Sequence, residues 1–246
     1  MIMNYKLNIA YDGTKYSGWQ NQPDVNTVQG QIENAICTIF NLKKINLIGS
    51  GRTDSGVHAK NQIANFHLET NLKPDKIMQA INSNLDNDIY IKSCVVVNDN
   101  FHSRFNALDR NYIYNISNEF NPFKCRYEWN LKWKNINQQK LNDCSKIILG
   151  DHDFSNFCKS TSKKENNRCV VKLSHWCFND KQMKYEITAN RFLHHMVRLL
   201  VGTMIEVARE RISLNQFKKL LSNKDIDNIP IVKSPAKGLF LNEIKY

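Results

Sequence analysis

The chain has 246 residues, enough for one large domain or two small ones with a sizeable core. Its 34 lysines and arginines exceed its 23 aspartates and glutamates, and this formal net charge of +11 favours a polyanionic partner such as nucleic acid. The composition argues against a membrane span, a signal peptide, a disulfide framework and a structural zinc site, because no long apolar run occurs and the seven cysteines are scattered without a Cys-x-x-Cys pair. We therefore expect a cytoplasmic protein with reduced thiols.

The first part of the chain predicts six elements in the order β-α-β-β-α-β. Strands are recognised by alternating apolar residues, and helices by apolar residues that recur every three or four positions. Asp12-Gly13 ends the first strand, and Asn26 or Thr27 caps the first helix. The predicted strands cover residues 5–11, 45–48, 63–68 and 89–97, and the helices follow Thr27 and Pro74.

The second part repeats this order with one additional helix, although the two parts share no sequence identity. The predicted elements are a strand at 111–117, a helix at 137–149, a hairpin of strands at 170–178 and 183–189, helices at 191–209 and 214–221, and a last strand at 238–246. The order β-α-β-β-α-β is that of a ferredoxin-like unit.

The pattern predicts an α+β fold of two pseudo-repeated ferredoxin-like halves, residues 1–104 and 105–246. We expect the halves to join into one extended, mainly antiparallel sheet with helices on one side, which would also protect the sheet edges. A basic cleft between the halves would then hold the active site, on a sheet face of the kind that binds RNA in other proteins of this topology.

Gly49 to Ala59 contains three glycines within eight residues around a single carboxylate, Asp54. The glycines predict a tight loop that presents Asp54 just before a strand. One interpretation is a turn in which Asp54 caps its own backbone. The other is a reactive carboxylate that acts as a covalent nucleophile or a general base.

The predicted helix at 191–209 is apolar on nearly all sides yet carries four cationic or titratable residues. Arg191, His194, His195 and Arg198 have the spacing i, i+3, i+4 and i+7, which predicts a single helical face. Because an unpaired buried charge is costly, Arg198 is expected to pair with a carboxylate, and Asp54 is the partner that we assign. The histidines are as readily explained by packing and a hydrogen bond.

Basic and aromatic residues alternate at the start of the second half. Strand geometry predicts that Arg110, Tyr112 and Tyr114 share one face, and Arg104 lies just before them. Tyrosine on a sheet face commonly belongs to the core, but flanking arginines also suit stacking on an exposed base. The polar stretch 159–168 is either a solvated loop or a phosphate contact. No spacing typical of metal ligands or of a bound organic cofactor occurs.

Motifs along the whole chain resemble those of the tRNA pseudouridine synthase A family. The most specific is Gly51-Arg52-Thr53-Asp54-Ser55-Gly56-Val57-His58-Ala59, which resembles the family's active-site signature. Seven further motifs agree in order and spacing: Tyr11-Asp12-Gly13, Gly18-Trp19-Gln20, Phe101-His102-Ser103-Arg104-Phe105, Arg110-Asn111-Tyr112-Ile113-Tyr114, His152-Asp153-Phe154, His194-His195-Met196-Val197-Arg198 and Gly238-Leu239-Phe240-Leu241.

This resemblance implies an isomerase that converts uridine to pseudouridine at positions 38–40 of the tRNA anticodon arm, without a metal or an organic cofactor. It implies that the protein is a homodimer. Asp54 is implied as the nucleophile, at C1′ of the ribose or C6 of the uracil, Arg198 as its partner and Tyr112 as the residue that packs against the base. Arg52 is implied to hold the RNA, and the substrate-binding surface is predicted to include Arg110, His58 and Arg104 as well.

Two other functions are compatible with the residues alone. A non-catalytic RNA-binding protein of the same fold would not need Asp54, whereas a nucleoside or glycosyl hydrolase would use it and release free uracil. The hydrolase lacks the second carboxylate expected for acid catalysis.

Overall fold

Alternating burial along the first strand places it inside a mainly antiparallel sheet. In the computed structural model, which describes residues 1–131, 136–222, 226 and 228–246, β1 spans Ile2–Tyr11. Tyr5, Leu7 and Ile9 are fully buried, and Tyr5 stacks on Phe66 with ring centroids 5.6 Å apart. This alternation is the one that the sequence predicts.

The described residues fall into two compact units, one formed by 1–108 with 240–246 and the other by 109–239. In the first unit, β1 pairs antiparallel with β3 (His58–Glu69) on one side and with β4 (Ile89–Val97) on the other. The short β2 (Ile48–Gly49) pairs with the other edge of β3. The order β4-β1-β3-β2 and the intervening helices α1 (Val28–Phe40) and α2 (Pro74–Ser83) confirm the ferredoxin-like prediction for this half.

The second unit is also built on an antiparallel sheet. β5 (Asp109–Ser117) pairs antiparallel with β9 (Gln182–Ala189), β9 with β8 (Arg168–Phe178), and β8 with β7 (Gly150–Asp153), while β6 (Trp129–Asn130) adds parallel to the end of β5. The helices are α3 (Gln138–Ile147), α4 (Met196–Ala208) and α5 (Leu214–Ser222). The α+β class and the predicted hairpin are confirmed, whereas β7, a polar Gly-Asp-His-Asp stretch, was not predicted.

The last strand joins the first unit. β10 (Leu239–Lys245) pairs in parallel with β3, with Phe240 opposite His58 and Leu241 opposite Ala59. The sequence pattern assigned this strand to the second half, because a local pattern shows that a strand forms but not which strand it pairs with. The unit boundary also falls after residue 108 rather than after residue 104.

The prediction of a helix from residue 191 is wrong. α4 begins at Met196, and His195 immediately before it has a φ of +69°, in the left-handed region. Arg191, His194 and His195 therefore do not share a helical face with Arg198. The apolar periodicity of the sequence continues on the N-terminal side of Met196, where α4 begins. A single residue in the left-handed region can delay the start of a helix without changing this pattern.

Among the residues that the structure describes, no helix has both the length and the apolar character needed to cross a membrane.

Candidate active site

The glycine-rich loop connects β2 to β3, and its turn leaves Asp54 half-buried. The Val57 amide donates to the Asp54 carbonyl oxygen at 3.1 Å, which closes a four-residue turn. Gly56 is the third residue of this turn and has a φ of +75°, a conformation that glycine adopts without a steric penalty. The sequence around Asp54 thus folds locally as its glycines predict.

Residues 16–19 lie against this loop and hold its backbone. The Trp19 amide donates to the Thr53 carbonyl at 3.2 Å, and the Gly56 amide donates to the Tyr16 carbonyl at 3.3 Å. The Ser55 hydroxyl donates to the same Tyr16 carbonyl at 3.2 Å. The chain is therefore fixed on both sides of Asp54, which restricts where its carboxylate can go.

This contact requires glycine at position 18. Gly18 has a φ of +95°, and a Cβ at this residue would lie only 2.5 Å from the Thr53 carbonyl oxygen. A side chain there would strain the backbone and push the Asp54 loop away from residues 16–19. Gly51, in contrast, lies in open space, because its Cβ would have no neighbour within 4 Å.

The start of α1 supports the 16–19 segment in turn. The first amides of a helix have no partner within the helix. Here the Val28 amide donates to the Gly18 carbonyl at 3.2 Å and the Gln29 amide to the Trp19 carbonyl at 3.0 Å. Thr27 caps the helix by accepting from the Gly30 amide. The helix terminus, the 16–19 segment and the Asp54 loop thus form one hydrogen-bonded series.

Buried aromatic side chains close the same region. Trp19 is 2% exposed and covers Gly49, where a Cβ would lie 2.5 Å from the indole Nε1. The Tyr11 hydroxyl lies 2.8 Å from Thr53 Oγ1, and both side chains are buried. These contacts hold the residue that precedes Asp54 in the chain.

Arg52, two positions before Asp54, is exposed, and its Nε donates to Gln20 Oε1 at 3.0 Å. The carbonyl of Gly51 accepts from Gln62 Nε2 at 2.9 Å. An exposed arginine on a fixed backbone is compatible with the predicted RNA contact, which remains a prediction.

His58 is placed differently from the expectation of a substrate contact. It is 1% exposed, it stacks on Phe240 with centroids 4.6 Å apart, and its Nδ1 accepts from the Gly13 amide at 3.0 Å. Asp12 Oδ1 lies 3.1 Å from the same nitrogen. This burial favours a packing role at the first residue of β3 over direct contact with RNA.

Asp88 is a supporting residue that the sequence analysis missed. Its Oδ1 accepts from the Tyr16 hydroxyl at 3.1 Å, its Oδ2 lies 3.0 Å from Lys15 Nζ, and its carbonyl accepts from the Asp12 amide. Burial opposes its ionisation, but the hydrogen bonds from Lys15 and Tyr16 and the charge of Lys15 hold the pKa of Asp88 below its usual 3.8. No local pattern marks Asp88, because its partners lie more than seventy positions earlier.

The second unit carries the tyrosines on one face of β5, as predicted. Tyr112 is 8% exposed, and its ring meets Phe192 edge-on with centroids 5.1 Å apart. Tyr114 is fully buried and donates its hydroxyl to the Pro235 carbonyl at 2.7 Å, while burial raises the pKa of Tyr114. Arg110 Nη1 donates to the Asn190 carbonyl at 2.8 Å. Tyr114 is therefore a core residue.

Arg198 lies in the first turn of α4. Its Nε donates to the Ser234 carbonyl at 2.9 Å, and its own carbonyl accepts from both the amide and the hydroxyl of Ser234 at 3.0 Å. This reciprocal contact fixes the arginine's direction within the second unit.

Comparisons with known proteins agree across nearly the full chain. The family described as tRNA pseudouridine synthase matches residues 8–106 and 145–246. A tRNA pseudouridine synthase A 1 of Protochlamydia amoebophila is 34% identical, with 98% of this chain and 96% of the relative covered. Enzymes named tRNA pseudouridine synthase A are 36% identical in Azobacteroides pseudotrichonymphae (98% and 96% covered) and 37% identical in Ureaplasma urealyticum (99% and 100% covered).

Substitutions of Gly18 and of Gly51 are expected to have different effects on stability. Gly18→Ala combines a positive φ with overlap against the Thr53 carbonyl, so it should lower the free energy of unfolding by about 2 to 5 kcal/mol. Gly51→Ala should be neutral or slightly stabilising, because it meets nothing and restricts the unfolded chain. Urea unfolding followed by circular dichroism measures both, and equal effects would contradict the close approach at Gly18.

Asp88 is expected to make stability depend on acidity. Because its pKa is lower in the folded protein than in the unfolded chain, its contribution is complete above about pH 4 and is lost as the pH falls through the folded value. The parent protein should therefore lose more unfolding free energy between pH 5 and 3 than Asp88→Asn does. Parallel urea titrations at both pH values measure the difference. An identical loss of unfolding free energy in the parent and in Asp88→Asn would show that the hydrogen bonds from Lys15 and Tyr16 do not stabilise the ionised carboxylate of Asp88.

Proposed function

The chain belongs to the tRNA pseudouridine synthase family, and we propose that it isomerises uridine to pseudouridine at positions 38–40 of the tRNA anticodon arm, with Asp54 as the nucleophile. The observation that supports this most is the hydrogen bonding of the backbone on both sides of Asp54, which fixes the main chain that carries this half-buried residue. A reactive group on a rigid scaffold is what a reaction with one productive geometry needs.

The proposed reaction has no net redox change and needs no additional reactant. The N1–C1′ bond of the uridine breaks, the uracil turns while it stays bound, and a C5–C1′ bond forms. C5 loses its proton and N1 gains one, so the product is an isomer of the substrate. Asp54 attacks C1′ or C6 in the first stage and leaves in the last. A carboxylate suits attack at an anomeric carbon because it is also a good leaving group there, as in retaining glycosidases. No metal and no organic cofactor takes part in this proposal.

Arg198 is proposed to pair with Asp54. The hydrogen bond from Nε to the Ser234 carbonyl orients its guanidinium, and a planar guanidinium can bind a carboxylate through two parallel hydrogen bonds. A fixed arginine positions the nucleophile and stabilises the anion when the covalent intermediate breaks down.

Tyr112 is proposed to pack against the target base. It is 8% exposed, and Phe192 supports its ring edge-on, so the ring has a defined orientation. Packing of this kind would keep the freed uracil in place and exclude water, whose attack would give hydrolysis instead of isomerisation. The target uridine must leave its stack to reach the site, which costs a few kcal/mol.

The basic surface is proposed to supply that energy by binding the tRNA backbone. The exposed Arg52, Arg104 and the net charge of +11 support phosphate contacts, as does the partly exposed Arg110. His58 contributes through the start of β3 rather than by touching RNA. The protein is proposed to act as a cytoplasmic homodimer, and light scattering of the purified protein measures that assembly directly.

Asp54→Asn is expected to abolish pseudouridine formation while leaving tRNA binding within about threefold, because the amide keeps the size of the side chain but is not a nucleophile. Carbodiimide modification followed by primer extension maps pseudouridine on an unmodified tRNA transcript with uridines at positions 38–40. Asp24→Asn is the matched control, since it removes one exposed carboxylate at a positive φ of 58° that asparagine tolerates.

The two other functions give distinct results in this experiment. A parent protein that binds the transcript and forms no pseudouridine is a non-catalytic RNA-binding protein. Release of free uracil from the transcript identifies a hydrolase. Pseudouridine formed at an unreduced rate by Asp54→Asn would remove Asp54 from the mechanism.

A further inference from the structure

Phe105 is a large apolar side chain in solvent, next to a cation and a second ring. It is 76% exposed. The Arg104 guanidinium carbon lies 5.8 Å from the Phe105 ring centroid, and the His102 ring centroid lies 4.2 Å away at 30° between the ring planes. An exposed aromatic ring beside an arginine is a typical surface for stacking a nucleic-acid base.

The turn that carries these residues is closed by its own hydrogen bonds. His102 Nδ1 accepts from the amides of both Arg104 and Phe105 at 3.2 Å. The His102 amide donates to Asn106 Oδ1 at 2.7 Å, and the Asn106 amide donates to the His102 carbonyl at 3.0 Å. Both the His102 ring and the backbone of Phe105 are therefore fixed with respect to each other.

A buried polar network anchors the turn to the sheet. Ser103, which is fully buried, donates from its amide and its hydroxyl to Asn65 Oδ1 at 2.9 and 2.8 Å. Asn65 Nδ2 donates to Asn4 Oδ1 at 3.0 Å, and Asn4 Nδ2 donates to the Phe101 carbonyl at 2.9 Å. The Tyr246 hydroxyl donates to the Ser103 carbonyl at 2.8 Å.

Such a network specifies one geometry, because each buried polar group has its partner and any displacement would leave one unsatisfied. The packing of the core does not require the position of Phe105 to be fixed in this way, since its side chain is exposed. The precision is explained if the presented ring has to meet a ligand without a further cost of ordering.

We propose that Phe105, His102 and Arg104 form a preorganised platform on which an unpaired base of the tRNA stacks, with Arg104 contacting an adjacent phosphate. The base is distinct from the target uridine. Ser103 docks on Asn65, seven residues along β3 from His58, and seven residues of strand span about 23 Å. The proposal rests on tRNA being the substrate, and it adds a binding site remote from Asp54.

RNA is favoured over a second copy of the chain as the occupant because of charge. Arg104 lies over Phe105, and Lys6 Nζ lies 5.6 Å from the neighbouring Phe101 ring centroid, on a protein of net charge +11. Cations beside aromatic rings suit a partner such as RNA, which has both negative phosphates and flat bases. In a dimer formed through this surface, the same cations would face those of the identical partner and repel them.

The test measures the affinity of the full chain for an unmodified, fluorescently labelled tRNA transcript between about 50 and 200 mM salt. Phe105→Ala should raise Kd about tenfold without changing the slope of log Kd against log salt, because stacking releases no counterions. Phe105→Trp should bind within twofold of the parent, and its additional indole emission should be quenched by the tRNA. Arg104→Ala should lower the slope by about one.

A Kd for Phe105→Ala within twofold of the parent would overturn the platform. A change in oligomeric state in Phe105→Ala, seen by light scattering, would assign the surface to a second copy and overturn it as well. Failure of the proposed function would be distinguishable from failure of the platform. If the parent protein bound tRNA but formed no pseudouridine, Phe105→Ala would still raise the Kd for tRNA. Urea unfolding of Phe105→Ala should match the parent, since the side chain is exposed.

Discussion

The backbone hydrogen bonds between residues 16–19 and the loop around Asp54 are the constraint on which the candidate site depends. Trp19 holds the Thr53 carbonyl, and Tyr16 holds the Gly56 amide, so the chain is tied on each side of the carboxylate. Without these hydrogen bonds, the loop between the two-residue strand β2 and the long strand β3 would have few contacts to fix its conformation. The series continues to the first turn of α1, whose amides need external partners and find them in the carbonyls of Gly18 and Trp19. The core of the first unit, through α1, thus determines where Asp54 lies.

A second series of contacts reaches the same loop from the other direction. Asp88, just before β4, binds the hydroxyl of Tyr16, whose carbonyl receives both Ser55 and Gly56. A charged acceptor that is partly removed from water strengthens these hydrogen bonds and orders the aromatic ring. The Phe105 platform follows the same principle at a different place, because buried amide groups on β1 and β3 hold an exposed turn. In both cases the sheet supplies rigidity and the loops supply chemistry.

The sequence alone predicts the local features of this protein well. Alternation in Tyr5, Leu7 and Ile9 predicts a buried strand face, and the glycines around Asp54 predict its turn. Features that depend on distant partners were missed or misplaced. Asp88 has no local signal, the last strand pairs with β3 of the first unit, and His58 is buried against Phe240. α4 starts later than predicted because a positive φ at His195 has no counterpart in the hydrophobic pattern.

The most direct test of the central claim is tritium release from a tRNA transcript that carries [5-³H]uridine, measured together with free uracil for the native protein and for Asp54→Asn. Isomerisation must remove the C5 hydrogen, and hydrolysis must release the base. We expect the native protein to release tritium without free uracil, and Asp54→Asn, which binds the transcript within about threefold of the native protein, to release none. Tritium release by Asp54→Asn at the native rate, or by neither protein although both bind, would contradict this expectation.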